Sequence, residues 1–108
     1  MGEPDMDNWK ALCALKDIPC LGSRVVRTQE GDLAVFRTAD DRVFALDDRC
    51  PHKGGPLSQG IVSGERVACP LHGWLIELES GSAVAPDEGC VRRHETRVAD
   101  GQVYLRVD

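Results

Sequence analysis

From Trp9 onward, apolar residues fall in short runs broken by turn residues, and no stretch holds the 3.6-residue spacing of an amphipathic helix. Val25 to Thr28, Leu33 to Thr38 and Val43 to Leu46 read as three strands, joined by a Glu30-Gly31 turn and an Ala39-Asp40-Asp41 turn, which predicts an antiparallel meander. After a Gly- and Pro-rich stretch from Cys50 to Gly60, three shorter strands follow: Ile61 to Val62, Arg66 to Ala68 beyond a Ser63-Gly64 turn, and Trp74 to Leu78. Near the end, Val103, Leu105 and Val107 share one face while Tyr104 and Arg106 take the other, and Asp100-Gly101 marks a hairpin pairing this strand with Arg93 to Val98. Trp9 to Leu15 is long enough for an opening strand or a single helical turn. Residues 1–8 carry no apolar pattern and are expected to form a disordered arm, leaving residues 9–108 as one all-β, antiparallel domain.

Composition narrows this picture. The chain has 108 residues, room for one domain, and only 5% of them are aromatic, so the core rests on Val, Leu, Ile and Ala. A formal charge of -5 argues against a nucleic-acid partner, which needs clustered Lys and Arg. No uncharged apolar run approaches the roughly 18 to 20 residues of a membrane span, and no targeting segment is visible, so a cytoplasmic protein is expected. The five cysteines, at 13, 20, 50, 69 and 90, do not resemble a disulfide framework and suit a reducing compartment with metal ligation.

The chemistry concentrates in Cys50-Pro51-His52 and Cys69-Pro70-Leu71-His72, separated by the 16 residues from Lys53 to Ala68. Each places a thiolate and an imidazole on one tight loop between strands. These donors suit iron-sulfur clusters or zinc; hard cations prefer oxygen. Zinc fingers usually pair like ligands in sequence, Cys with Cys and His with His, whereas each loop here is mixed. Two mixed loops on opposite sides of a [2Fe-2S] cluster supply two Cys to one iron and two His to the other, so the spacing favours a cluster over structural zinc. Gly54, Gly55 and Gly73 are expected to adopt positive φ and free backbone N–H groups toward the sulfurs, and Lys53 to bias the cluster's charge or mark a docking surface.

Cys50-Pro-His-Lys-Gly-Gly-Pro-Leu-Ser-Gln-Gly60 and Cys69-Pro-Leu-His-Gly-Trp74 resemble the two cluster-binding loops of Rieske ferredoxins, in detail those of the small subunit of assimilatory NAD(P)H-dependent nitrite reductase. The likeness continues through Leu33 to Arg37, Val43 to Leu46 and Pro86-Asp-Glu-Gly-Cys-Val91. The resemblance implies the Rieske iron-sulfur-protein fold: an antiparallel β base with an inserted cluster-binding subdomain at about residues 46–86. It implies Cys50 and Cys69 on the inner iron, His52 and His72 on the outer iron as the electron port, and Pro86 on a third loop covering the cluster. Its partner would be a large flavoprotein carrying sirohaem, with electrons running from NAD(P)H to nitrite. A free ferredoxin between a flavoprotein reductase and a ring-hydroxylating dioxygenase is the second reading, and a structural zinc module the third.

Respiratory Rieske proteins resemble the chain at the four ligand positions but carry an extra cysteine in each loop, where Gly55 and Leu71 stand here, and hydroxyl residues where Trp74 and Ile76 stand. This implies no loop-to-loop disulfide and a potential at the low end of the Rieske range, about -150 mV rather than about +300 mV. Cys13, Cys20 and Cys90 match no ligand spacing, His94 reads as a packed or surface residue in step with Thr96 and Val98, and Arg92, Arg93 and Arg97 as a solvated face. Asp40, Asp41, Asp47 and Asp48 read as turn chemistry. No nucleophile, acid/base pair or dinucleotide fingerprint appears, so the chain is expected to relay electrons rather than turn over a substrate itself.

Overall fold

A computed structural model describes residues 9–29, 31–51, 54–71 and 73–106. Among the described residues, ten strands run in chain order: β1 (Trp9–Ala14), β2 (Ser23–Thr28), β3 (Gly31–Arg37), β4 (Val43–Asp47), β5 (Ile61–Ser63), β6 (Arg66–Ala68), β7 (Leu75–Glu77), β8 (Arg93–His94), β9 (Thr96–Ala99) and β10 (Gln102–Arg106). Two 3-10 turns, Leu15–Asp17 and Leu57–Gln59, are the helical elements among the described residues. The strands form three antiparallel sheets, ordered β1-β10-β9, β2-β3-β4-β8 and β5-β6-β7. No described helix is long and apolar enough to cross a membrane. The expected disordered arm, Glu30 and Val107 lie outside the described residues.

The middle sheet carries the architecture because β3 and β4 are apolar on both faces. Successive side chains of a strand point to opposite sides. On one side, Leu33, Val35, Val43 and Ala45 pack with Ile18, Val103 and Leu105. On the other, Ala34, Phe36 and Leu46 pack with Leu57, Val62, Val67, Ile76, Leu78 and Val91, and this second core also contains Cys50 and Cys69. Phe36, Leu46, Leu57, Ile76 and Leu78 are fully buried there. Each such side chain contributes about 1.5–3 kcal/mol on burial.

The strand expected from Arg93 to Val98 is divided. Arg93 and His94 pair with Leu46 and Ala45 of β4, whereas Thr96 to Ala99 pair with β10. The crossing is fixed by the Thr96 hydroxyl, which donates to the Val43 carbonyl at 2.7 Å, and by the Arg106 amide, which donates to the Glu95 carbonyl at 3.0 Å. Alternation alone could not reveal this, because both halves keep an extended backbone. The β9–β10 turn matches its sequence signal: Asp100 (φ 51) and Gly101 (φ 75) are both left-handed, as a two-residue primed hairpin requires.

Candidate metal centre

Cys50 follows β4, and Cys69 lies between β6 and β7. Both are almost fully buried, at 2% and 3% exposure, on the same core. Their loops share one backbone plan. The Cys50 amide donates to the Gly55 carbonyl at 2.7 Å and the Gly54 amide donates to the Cys50 carbonyl at 2.9 Å. The Cys69 amide donates to the Trp74 carbonyl at 2.7 Å and the Gly73 amide to the Cys69 carbonyl at 2.9 Å. In each loop the fifth residue, Gly54 or Gly73, is left-handed, with φ of 73° and 71°. An L-residue there would strain the turn.

The glycine expectations need two corrections. The amides of Gly54 and Gly73 are not free for sulfur; they close their own loops. Gly55 does not have positive φ; it is needed for space. A Cβ at Gly55 would lie 2.8 Å from Cδ1 and Cγ of Leu71 and 3.4 Å from Sγ of Cys69. The two loops therefore meet at Gly55, whose carbonyl serves one cysteine and whose Cα faces the thiol of the other.

His52, Lys53 and His72 lie outside the described residues. Among the described residues, no third His, Cys, Asp or Glu joins the two thiols in a metal-holding group. Two buried thiols in an apolar core form a soft donor set, which fits an iron-sulfur centre and not a hard cation. Around them, Ile76 is fully buried, Trp74 is partly buried against the same core, and Leu71 is half exposed, at 50%. Pro86 is exposed and follows a cis peptide bond from Ala85. The third loop approaches the first at Gly89, where a Cβ would come within 3.1 Å of Pro51.

The residues set aside also have places. Cys13 is half buried beside the core of the β1-β10-β9 sheet, and burial pushes its thiol pKa up, partly offset by Arg24. Cys20 and Cys90 are exposed, and none of the five thiols is bridged. Arg97 lies over the Trp9 ring, 5.2 Å from its centre. Asp41 pairs with Arg37 at 2.7 Å, and Asp40 accepts from the buried Thr38 hydroxyl. Two acids do more than their turn reading implied. Asp47 meets His94 Nε2 at 2.8 Å, and Asp48 accepts from both the amide and the hydroxyl of Ser58. Sequence spacing held no signal for either pair, because the partners are 47 and 10 residues away.

An antiparallel β fold that brings two buried thiols together on matched loops defines an iron-sulfur electron-transfer protein. The chain belongs to the Rieske [2Fe-2S] domain family, whose model matches residues 8–95, and it carries one Rieske-type [2Fe-2S] cluster. This sets the zinc reading aside. The ferredoxin subunit of anthranilate 1,2-dioxygenase from Burkholderia cepacia is 34% identical, with 99% of each chain covered. The ferredoxin–oxygenase complex of carbazole 1,9a-dioxygenase contains a chain with a TM-score of 0.80 at 31% identity, covering 92% of this chain and 93% of that one. A structure assigned as an NADPH nitrite reductase small subunit has a TM-score of 0.79 at 29% identity, covering 90% and 96%. Other curated relatives are longer, and the chain spans as little as 14% of their length.

Proposed function

We propose that this chain is the small subunit of an NAD(P)H-dependent nitrite reductase of nitrate assimilation, passing single electrons within a complex whose large subunit is a flavoprotein with sirohaem. Cys50 and Cys69 would hold the inner iron and His52 and His72 the outer one, with about residues 46–86 as the cluster-binding subdomain. When bound, the cluster supplies one-electron redox chemistry. The chain's own residues do the rest. Gly54 and Gly73 close the loops, Leu57, Val67 and Ile76 keep water from the thiols, and Gly55 leaves the room in which the loops meet. Unbridged exposed thiols at Cys20 and Cys90 suit a reducing, cytoplasmic setting.

The observation that carries the nitrite reductase reading is the position of the Pro86 to Val91 segment. It belongs to the resemblance with that subunit, and it folds against the first loop through Gly89 and Pro51. That segment thus lies against Pro51, the residue between Cys50 and His52 in the sequence. A second reading, a ferredoxin serving a ring-hydroxylating dioxygenase, is favoured by the 34% identity to a dioxygenase ferredoxin of matching length. Affinity purification from the native host separates the two. A stable complex containing sirohaem supports the subunit; reduction by a separate flavoprotein reductase with transfer to an oxygenase supports the ferredoxin and overturns the first.

A further inference from the structure

The two cysteine loops have the same internal hydrogen bonds but different foundations. The second loop is the tip of a hairpin: Ala68 pairs with Leu75 and Val67 with Ile76, so a β-ladder holds its two ends together. The first loop has no ladder. It leaves β4 in the middle sheet and returns to β5 in the small sheet, and these strands are not neighbours in any sheet. Some other contact must close its base.

That contact is Asp48. One carboxylate oxygen accepts from the Ser58 amide at 2.7 Å and the other accepts from the Ser58 hydroxyl at 2.8 Å. Both partners are half buried. The Asp48 amide donates to the Asp32 carbonyl at 3.0 Å, fixing it to the start of β3. The Ser58 carbonyl accepts from the Ser23 hydroxyl at 2.5 Å, fixing it to the start of β2. The clamp therefore ties both ends of the first loop to the middle sheet. Ser58 sits in the turn whose Leu57 is fully buried on the core of Cys50 and Cys69, so movement of this turn would reach the thiols.

We infer that Asp48 is a positioning residue of the iron-sulfur site: by clamping Ser58 it replaces the missing β-ladder and sets the position of the first loop against the second. The inference rests on the assignment of Cys50 and Cys69 as cluster ligands.

The test compares wild type with Asp48→Ala, Asp48→Asn and Ser58→Ala as holoproteins. Three readouts are taken: the rate of cluster loss from the visible absorbance, the electron paramagnetic resonance spectrum after dithionite, and the thermal midpoint. Asn keeps a carbonyl acceptor for the Ser58 amide and can donate to its hydroxyl, so it preserves the clamp without the charge. Asp48→Ala should lose its cluster about tenfold faster or more, with broadened or shifted resonance lines, Ser58→Ala should be intermediate, and Asp48→Asn should stay near wild type. Asp48→Ala with wild-type cluster loss and spectrum overturns the inference. So does Asp48→Asn matching Asp48→Ala, which would assign the effect to charge. A lowered thermal midpoint with an unchanged spectrum would make the role merely structural and also overturns it. If Asp48→Ala does not fold, Ser58→Ala decides by the same spectral criterion. The ligand assignment fails in a different way: Cys50→Ala would then keep the wild-type spectrum.

Discussion

Gly54 and Gly73 occupy equivalent places in the two cysteine loops: each is left-handed and each donates its amide, at 2.9 Å, to the carbonyl of the cysteine four residues before it. The equivalence holds although the candidate histidine stands two residues after Cys50 and three after Cys69. The loops are thus matched in backbone plan, not in ligand spacing.

Gly73 offers a clean measure of that plan, because a Cβ there meets nothing within 4 Å and backbone strain is the main cost. Gly73→Ala should lose about 1 kcal/mol, lowering the melting temperature by roughly 4–8 °C, and should release the cluster faster. Gly64→Ala, equally left-handed and open but in the β5–β6 turn, should cost as much in melting temperature without altering cluster release. Equal release from both variants would contradict the loop role.

Gly55 and Leu71 occupy the places where respiratory relatives carry cysteines, and the structure puts them in reach of each other. The Cγ of Leu71, where a cysteine sulfur would sit, is 2.8 Å from the Cβ that Gly55 lacks. This suits the separation of a Cβ from the far sulfur of a disulfide. The double variant Gly55→Cys with Leu71→Cys should therefore form a bridge when treated with a thiol oxidant, seen as a mass loss of about 2 Da (two hydrogen atoms) and a gain of about 3 kcal/mol against the reduced form. A thiol count unchanged by oxidation would show that the loops lie further apart.

Ile76 is fully buried beside Cys50 and Cys69 and has no hydroxyl to donate to a sulfur. The reduction potential should accordingly fall near the low end of the Rieske range, about -150 mV. Protein-film voltammetry reads this directly, and a strongly positive value would sink the argument.

Asp40 gives the base of the fold a predictable acid response. The Thr38 hydroxyl, buried to 2% exposure, holds the Asp40 carboxyl below its usual range, assisted by Arg42. A depressed folded-state pKa adds stability that is present above the ordinary aspartate value of about 3.9 and is lost as pH falls through the lower folded value. Thermal melts should show wild type above Asp40→Asn at pH 6, with the gap closing below about pH 4. A gap that does not narrow as the pH falls below about 4 would point to a cause other than ionisation.

The strands were legible because their signals are local. Val103 and Leu105 are buried on one face as their alternation implies, and Asp100-Gly101 makes the hairpin its residues favour. The pairing of Cys50 with Cys69 was also legible, since metal-binding residue types recur at a characteristic spacing. The sequence by itself thus determined the all-β class, the family and the soft donor set. Tertiary structure decided the rest. It showed that β3 and β4 serve two cores at once, that Arg93 to Val98 splits between two sheets, that Gly55 is required for space rather than φ, and that Asp48 reaches Ser58. The physical reason is common to all four. Alternation, turn chemistry and ligand spacing act within a few residues, whereas sheet exchange, close approach and a carboxylate's choice of partner depend on segments that meet only once the chain has folded.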